Sequence, residues 1–227
     1  MGVFLTDLLA DVQHVIWDWN GTLLDDRWLC VLTLNGLLER EGRGPIDEQV
    51  YLEHFGFPVL DFYDWLGFAV DGPSFEDLST RFISGYHARA EELALQPHTE
   101  EVLGALQSLG IPQSVLSASR QDHLEKQVRH AELGPYFEAL CGTDTIHAHG
   151  KVGRGQDRIA ELQIEPQQVL MVGDTTHDLE VAEAMGVRCL LVAHGHHSYA
   201  RLEATGCPVV HDFSELRRHL SALAASR

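Results

Sequence analysis

Asp18 closes the apolar run Val15-Ile16-Trp17 and enters a tight turn, Trp19-Asn20-Gly21-Thr22. A carboxylate at the end of a buried strand, with glycine close behind, stands where α/β proteins keep their chemistry. Three more pieces follow later apolar runs: Ser117 after residues 114–116, Lys151 in a glycine-rich loop after 139–141, and Gly173-Asp174 with Asp178 after 169–172. In one parallel sheet the carboxyl ends of such strands share an edge, so all four pieces can converge on one crevice. Asp18 and Asp174 would there suit a hard, oxygen-seeking cation, Mg²⁺. A lysine and a hydroxyl suit the oxygens of a phosphoryl group. Singly, each residue has a plainer reading: Asp18 as a turn residue, Ser117 and Ser119 as helix caps, Lys151 as a solvated cation.

The elements that must position these residues follow an α/β alternation. Strands are expected at His14 to Trp17, Ser114 to Leu116, Ala139 to Cys141, Val169 to Val172, Arg188 to Val192 and Val209 to Val210. Helical spacing marks Thr99 to Leu109, Asp122 to Ala131, Gly155 to Leu162 and Asp178 to Met185, with Gly110, Gly134 and Gly186 at positions that helix ends favour. The pattern predicts a doubly wound, Rossmann-like parallel sheet flanked by helices. Residues 26–95 break it, reading as helices from Trp28 to Glu41 and Phe75 to Glu92 with no strand. Between them the aromatics Phe55, Phe57, Phe62, Tyr63, Trp65 and Phe68 read as the core of an inserted helical module. The expected division is a core of 1–25 and 96–227 around a helical domain of 26–95, with Gln96-Pro97-His98 as the return hinge.

Composition limits the partners. A formal net charge of −18 over 227 residues disfavours nucleic acid or an anionic membrane as a partner. An anionic substrate would need a metal ion or a few placed cations, and Lys126 and Lys151 are the only lysines. No run approaches the roughly 20 apolar residues of a membrane span, and the N-terminus lacks a secretion pattern. Cys30, Cys141, Cys189 and Cys207 lie far apart with no CxxC pair, as reduced thiols of a cytoplasmic protein do.

In order and spacing, Asp18-x-Asn20-Gly21-Thr22-Leu23, apolar-Ser117, Lys151 and Gly173-Asp174-Thr175-x-x-Asp178 resemble the four motifs of the haloacid dehalogenase-like hydrolase superfamily. The inserted helical block matches the place and character of its mobile cap. The layout, including Ala193-His194-Gly195-His196 and the elements after it, is most similar to the phosphoglycolate phosphatase-like branch. The resemblance implies a Mg²⁺-dependent phosphatase acting on a small phosphorylated metabolite, with Asp18 attacking phosphorus to form an aspartyl phosphate. It implies Mg²⁺ between Asp18, the backbone carbonyl of Asn20 and Asp174, with Asp178 as a further ligand or as the residue that orients Lys151. Ser117, Ala118 and Lys151 would hold the phosphoryl oxygens.

Asn20 departs from the motif, whose phosphatases carry there an aspartate that protonates the leaving oxygen. An amide cannot exchange that proton. A positioned acid or base contributes about 10² to 10⁴ in rate, so aryl or acyl phosphates should suffer less than alkyl ones. His54, His87, His177 or Asp25 are candidates to replace the acid. The alternatives are a weakly active or non-catalytic protein that binds a phosphorylated ligand and, more remotely, a dehalogenase, against which the paired Asp174 and Asp178 argue. Schiff-base cleavage of a carbon–phosphorus bond would need a lysine in the cap, and none is present.

Overall fold

The computed structural model describes residues 7–143 and 150–226. Its centre is a six-stranded, wholly parallel sheet of order β5-β4-β1-β6-β7-β8. The strands are β1 (His14–Trp17), β4 (Gln113–Arg120), β5 (Ala139–Thr143), β6 (Val169–Gly173), β7 (Arg188–Val192) and β8 (Val209–Val210). All four residues of β1 are buried, as befits a central strand covered on both faces. Two of its side-chain nitrogens find partners on β4: His14 Nε2 meets Ser114 Oγ at 2.8 Å, and Trp17 Nε1 donates to Gln113 Oε1 at 3.0 Å. The chain winds from β1 to one side through β4 and β5 and to the other through β6, β7 and β8, which puts the switch point at the carboxyl ends of β1, β4 and β6.

The helical block contains α1 (Arg27–Arg40), α2 (Glu48–His54), α3 (Val59–Trp65) and α4 (Gly72–His87). Its buried residues, among them Leu29, Leu34, Tyr51, Phe62 and Leu78, form a cluster separate from the two that sandwich the sheet. The stretch Phe55 to Phe68 has two roles, because Phe55, Phe57, Phe62 and Tyr63 also line a cavity while Trp65 is half exposed. Two short strands escaped the sequence pattern. β2 (Leu24–Asp25) and β3 (Ala94–Leu95) pair antiparallel where the chain leaves and re-enters the sheet domain. Two residues are too few for a period-2 signal, so only the folded chain displays them.

After the block come α5 (Thr99–Ser108), α6 (Gln121–His130), α7 (Gly150–Leu162), α8 (Thr176–Met185), α9 (Tyr199–Glu203) and α10 (Phe213–Ser226). Gly110 and Gly186 end helices in the left-handed region, at φ 71° and 72°. After α6 that conformation falls to Glu132 rather than Gly134. α7 starts five residues before the helical spacing suggested, so Lys151 sits in the first turn of a helix and not in a loop. Three glycines disguised this start. Gly155 is needed there because a Cβ would strike Met185 of α8. Residues 144–149, part of the stretch read as glycine-rich, lie outside the described residues.

Candidate active site

The carboxyl ends of β1, β4 and β6 bring Asp18, Ser117, Lys151, Asp174 and Asp178 together, and all five are buried. Lys151 Nζ reaches Asp18 Oδ1 at 2.5 Å and Asp178 Oδ1 at 2.7 Å. Burial alone would lower the lysine's affinity for its proton, but the Asp178 and Asp18 carboxylates hold it well above the usual range. The same ammonium and the Thr175 hydrogen bonds keep Asp178 ionised against its own burial. For Asp18, burial wins: its carboxyl is pushed up to about 8 despite the pull of Lys151. Asp174 rises to about 6, again chiefly through burial.

Asp178 is fixed from both sides. Its Oδ2 accepts from the backbone nitrogens of Asp174 (3.1 Å) and Thr175 (3.0 Å) and from Thr175 Oγ1 (2.8 Å), which ties the first turn of α8 to the end of β6. With Oδ1 occupied by Lys151, the residue is built to orient the lysine. Asp174 is aimed just as firmly, by Thr22 Oγ1 on Oδ1 (2.7 Å) and by the backbone nitrogen of His196 on Oδ2 (2.6 Å). Gly21 makes this approach possible at φ 76°, where any Cβ would collide with Asp174 and His196. Ser117 Oγ accepts from the backbone nitrogen of Ser119 at 3.1 Å, and Ser117 and Ala118 line the cavity above the carboxylates.

Asn20 belongs to a second network that the sequence did not disclose. Its side-chain nitrogen donates to Asp26 Oδ2 (2.8 Å) and to the Tyr86 hydroxyl (3.1 Å), and its oxygen accepts from Ser119 Oγ (2.8 Å). Asp26 also accepts from Tyr86 (2.7 Å), from the Gly21 nitrogen (2.8 Å) and from His196 Nε2 (3.1 Å). Burial would weaken the imidazolium, but Asp26 raises His196 to about 9, so an ion pair sits behind Asn20. Tyr51 OH lies 3.0 Å from His196 Nδ1, so two tyrosines of the helical block anchor it to the strand ends. The pair Asp25-Asp26 next to the glycine turn and the run His194-Gly195-His196-His197 were the available signals for this network, but neither has a spacing that specifies a contact.

The candidate acids separate. His87 and His177 line the cavity, whereas His54 stacks on Trp65 with ring centroids 3.8 Å apart and Asp25 lies in β2; neither of these two lines it. The cavity, about 350 Å³, runs from Asp18 and Lys151 into the helical block. Carboxylate oxygens of Asp18, Asp174 and Asp178 lie within 4.8 Å of one another. Three buried acids share one ammonium, and an all-oxygen donor set of this kind fits a hard divalent cation, whose charge would favour the ionised form of each.

The sequence pattern of the haloacid dehalogenase-like hydrolases matches residues 15–192. The protein belongs to this family. As a haloacid dehalogenase-like hydrolase it is 29% identical over 224 residues to a phosphoglycolate phosphatase of Caulobacter vibrioides, covering 93% of this chain and 92% of the relative. It is 27% identical over 201 residues to the tyrosine-protein kinase PtkA of Mycobacterium tuberculosis, covering 87% and 68%. A solved haloacid dehalogenase-like hydrolase from Streptococcus pneumoniae superposes with a TM-score of 0.77 at 18% identity, over 96% of this chain and all of that one. Among the described residues of this hydrolase no helix is long and apolar enough to cross a membrane.

Proposed function

We propose that the protein is a Mg²⁺-dependent phosphoric monoester hydrolase acting on a small phosphorylated compound through an aspartyl phosphate on Asp18. The observation that carries this reading is the buried Lys151 bridge between Asp18 and Asp178 at the floor of the cavity, with carboxylate oxygens of Asp174 and these two residues within 4.8 Å of one another. Asp18 offers the nucleophilic oxygen, and its Oδ2 has no hydrogen bond from a described residue. Lys151, the Ser117 hydroxyl and the Ala118 backbone would hold the equatorial oxygens as charge shifts in the transition state. Asp178 positions Lys151, and Thr22 and His196 position Asp174. Asp18, Asp174 and the backbone carbonyl of Asn20 would hold Mg²⁺, which when bound neutralises charge between the carboxylate and the phosphoryl group. Residues 26–95 would serve as a cap that excludes water and selects the substrate.

Phosphate release from a panel of phosphomonoesters, with and without EDTA, tests the reading. Release that needs Mg²⁺ and falls at least about 10³-fold in Asp18→Asn is expected, because removing a covalent nucleophile leaves only binding and electrostatic help. Release that persists in Asp18→Asn would refute the nucleophile. Binding of phosphorylated compounds by the wild type without any release would favour a non-catalytic ligand-binding protein.

A further inference from the structure

The cavity above Asp18 has an unequal character. At its floor stand Asp18, Ser117, Lys151 and Asp178, but in the helical block its walls are Phe55, Phe57, Phe62, Phe82 and Tyr86. No arginine of the helical block lines it. Arg27 is spent on the carbonyls of His194 and Gly195 and on Glu48, Arg43 on the carbonyls of Leu66 and Gly67, Arg81 on Asp77 and Glu41, and Arg89 on Glu92. The cations that do line it are committed: Lys151 to two carboxylates, His196 to Asp26, and Arg120 to Asp122 at 2.7 Å. Among the described residues the cavity therefore offers a second anionic group no unpaired Lys or Arg, and it offers a ring a set of aromatic faces and edges.

Asn20 imposes a matching limit on the chemistry. Its amide nitrogen and oxygen are both engaged, by Asp26, Tyr86 and Ser119, and it has no proton to exchange. His87, at the cavity wall, is held below the ordinary histidine range by burial and so stands neutral. Neither Asn20 nor His87 therefore offers the leaving oxygen a proton, and His196, the imidazolium at the wall, is held by Asp26, which favours a leaving group able to depart as its own anion. A phenolic oxygen, with a pKa of about 10, does this far more readily than an alkoxide.

We propose that the site hydrolyses aryl phosphate monoesters, with the ring of the phenolic leaving group seated among Phe55, Phe57, Phe62, Phe82 and Tyr86, in preference to short acid phosphates. This rests on the phosphatase reading above and names the substrate class for that same site. In the first step an Asp18 oxygen forms a bond to phosphorus and the bond from phosphorus to the aryl oxygen breaks, its electron pair leaving on the phenolate. The phenolate takes a proton from solvent. In the second step a water oxygen bonds to phosphorus, the bond to Asp18 breaks to restore the carboxylate, and the water's proton returns to solvent. The sum is aryl phosphate plus water giving phenol plus inorganic phosphate.

The test compares kcat/KM of the full-length protein with Mg²⁺ for phenyl and 1-naphthyl phosphate against 2-phosphoglycolate and glycerol 3-phosphate. Aryl esters should lead by about 10² or more, the lower end of what a missing general acid costs an alkyl leaving group. Across substituted phenyl phosphates the rate should climb as the phenol becomes more acidic. Phe57→Ala and Phe82→Ala, both at half-buried positions, should each lower kcat/KM for 1-naphthyl phosphate about tenfold while inhibition by inorganic phosphate stays in place, a split that general unfolding would not give. Short acid phosphates hydrolysed as well as or better than aryl esters would overturn this inference and leave the phosphatase reading standing. No release from any of the four would overturn both.

Discussion

The side-chain amide of Asn20 lies 2.8 Å from Asp26 Oδ2, so the residue that interrupts the expected pair of motif aspartates is held by another aspartate six positions on. The amide is thus a fitted part and not a vacancy. A carboxylate in its place would face Asp26 across the same distance, and two carboxylates so close share one proton. Asn20→Asp is therefore expected to lose about 1 to 3 kcal/mol of stability through the lost donor and the new repulsion. It should also raise turnover of alkyl phosphates more than that of aryl phosphates, because the shared proton becomes available to the leaving oxygen. Adding Asp26→Asn should recover part of the stability. Urea denaturation of the three variants, with alkyl and aryl rates measured in parallel, checks both; equal gains on the two ester classes would contradict the role assigned to the amide.

Asp178 joins two jobs, and a conservative substitution separates them. Asp178→Asn keeps an oxygen able to accept from the Asp174 and Thr175 nitrogens, but among the described residues it leaves the Lys151 ammonium with Asp18 as its only ion-pair partner. Uncompensated buried charge costs about 3 to 5 kcal/mol when one partner of an ion pair is removed. The variant should unfold at markedly lower urea concentration. Its KM should rise more than its kcat falls, because a misdirected lysine first weakens the hold on the phosphoryl oxygens. Unchanged stability would mean that the Lys151 bridge carries little.

What the sequence made legible follows from how each feature is encoded. The strand ends were readable because buried parallel strands are short continuous apolar runs, and residues such as Asp18 and Asp174 interrupt those runs abruptly. Lys151 was identified but placed on the wrong kind of element, since Gly150, Gly153 and Gly155 advertise a loop, although only Gly155 is held to glycine by close packing against α8. Asp26, His196, Tyr51 and Tyr86 escaped altogether. They meet across separations of up to 170 residues, a pairing that no local period records. The arginines of residues 26–95 carry no local signal of their direction either, and only the folded chain shows that none of them lines the cavity.

Gly195 offers a test of how tightly the Asp174 carboxylate is aimed. A Cβ at this position would land on the Asp174 carboxylate, whose Oδ2 accepts from the neighbouring His196 nitrogen. Gly195→Ala must push Asp174 off its present line without altering any charge. Disturbing such supporting contacts typically costs about 10- to 100-fold in metal affinity. The Mg²⁺ concentration that gives half-maximal phosphate release should rise by that factor while circular dichroism remains that of the wild type. An unchanged Mg²⁺ requirement would argue against Asp174 as a ligand.

His14 should give the fold an acid-sensitive step away from the chemistry. It lies in β1, fully buried against Ser114, and burial, with a smaller push from Arg158, lowers it to about 4 from an ordinary value of 6.5. The folded protein therefore keeps the ring neutral between these two values while the unfolded chain binds a proton. More protons on the unfolded side mean that stability rises with pH through this window, is complete above about 6.5 and is lost as the pH falls towards 4. Each unit inside the window is worth about 1.4 kcal/mol, so lowering the pH from 7.5 to 5 should cost about 2 kcal/mol through this residue. His194 and His197, lowered to about 4 and about 3 chiefly by burial, push in the same direction. His196, raised to about 9, works the other way: its contribution is full below 6.5 and fades as the pH climbs through 9. Urea titrations at pH 7.5, 6 and 5 should show wild type losing more stability than His14→Gln, whose amide can bond to Ser114 but does not titrate. Parallel losses in the two proteins would show that His14 takes up its proton in the folded state as easily as in the unfolded one.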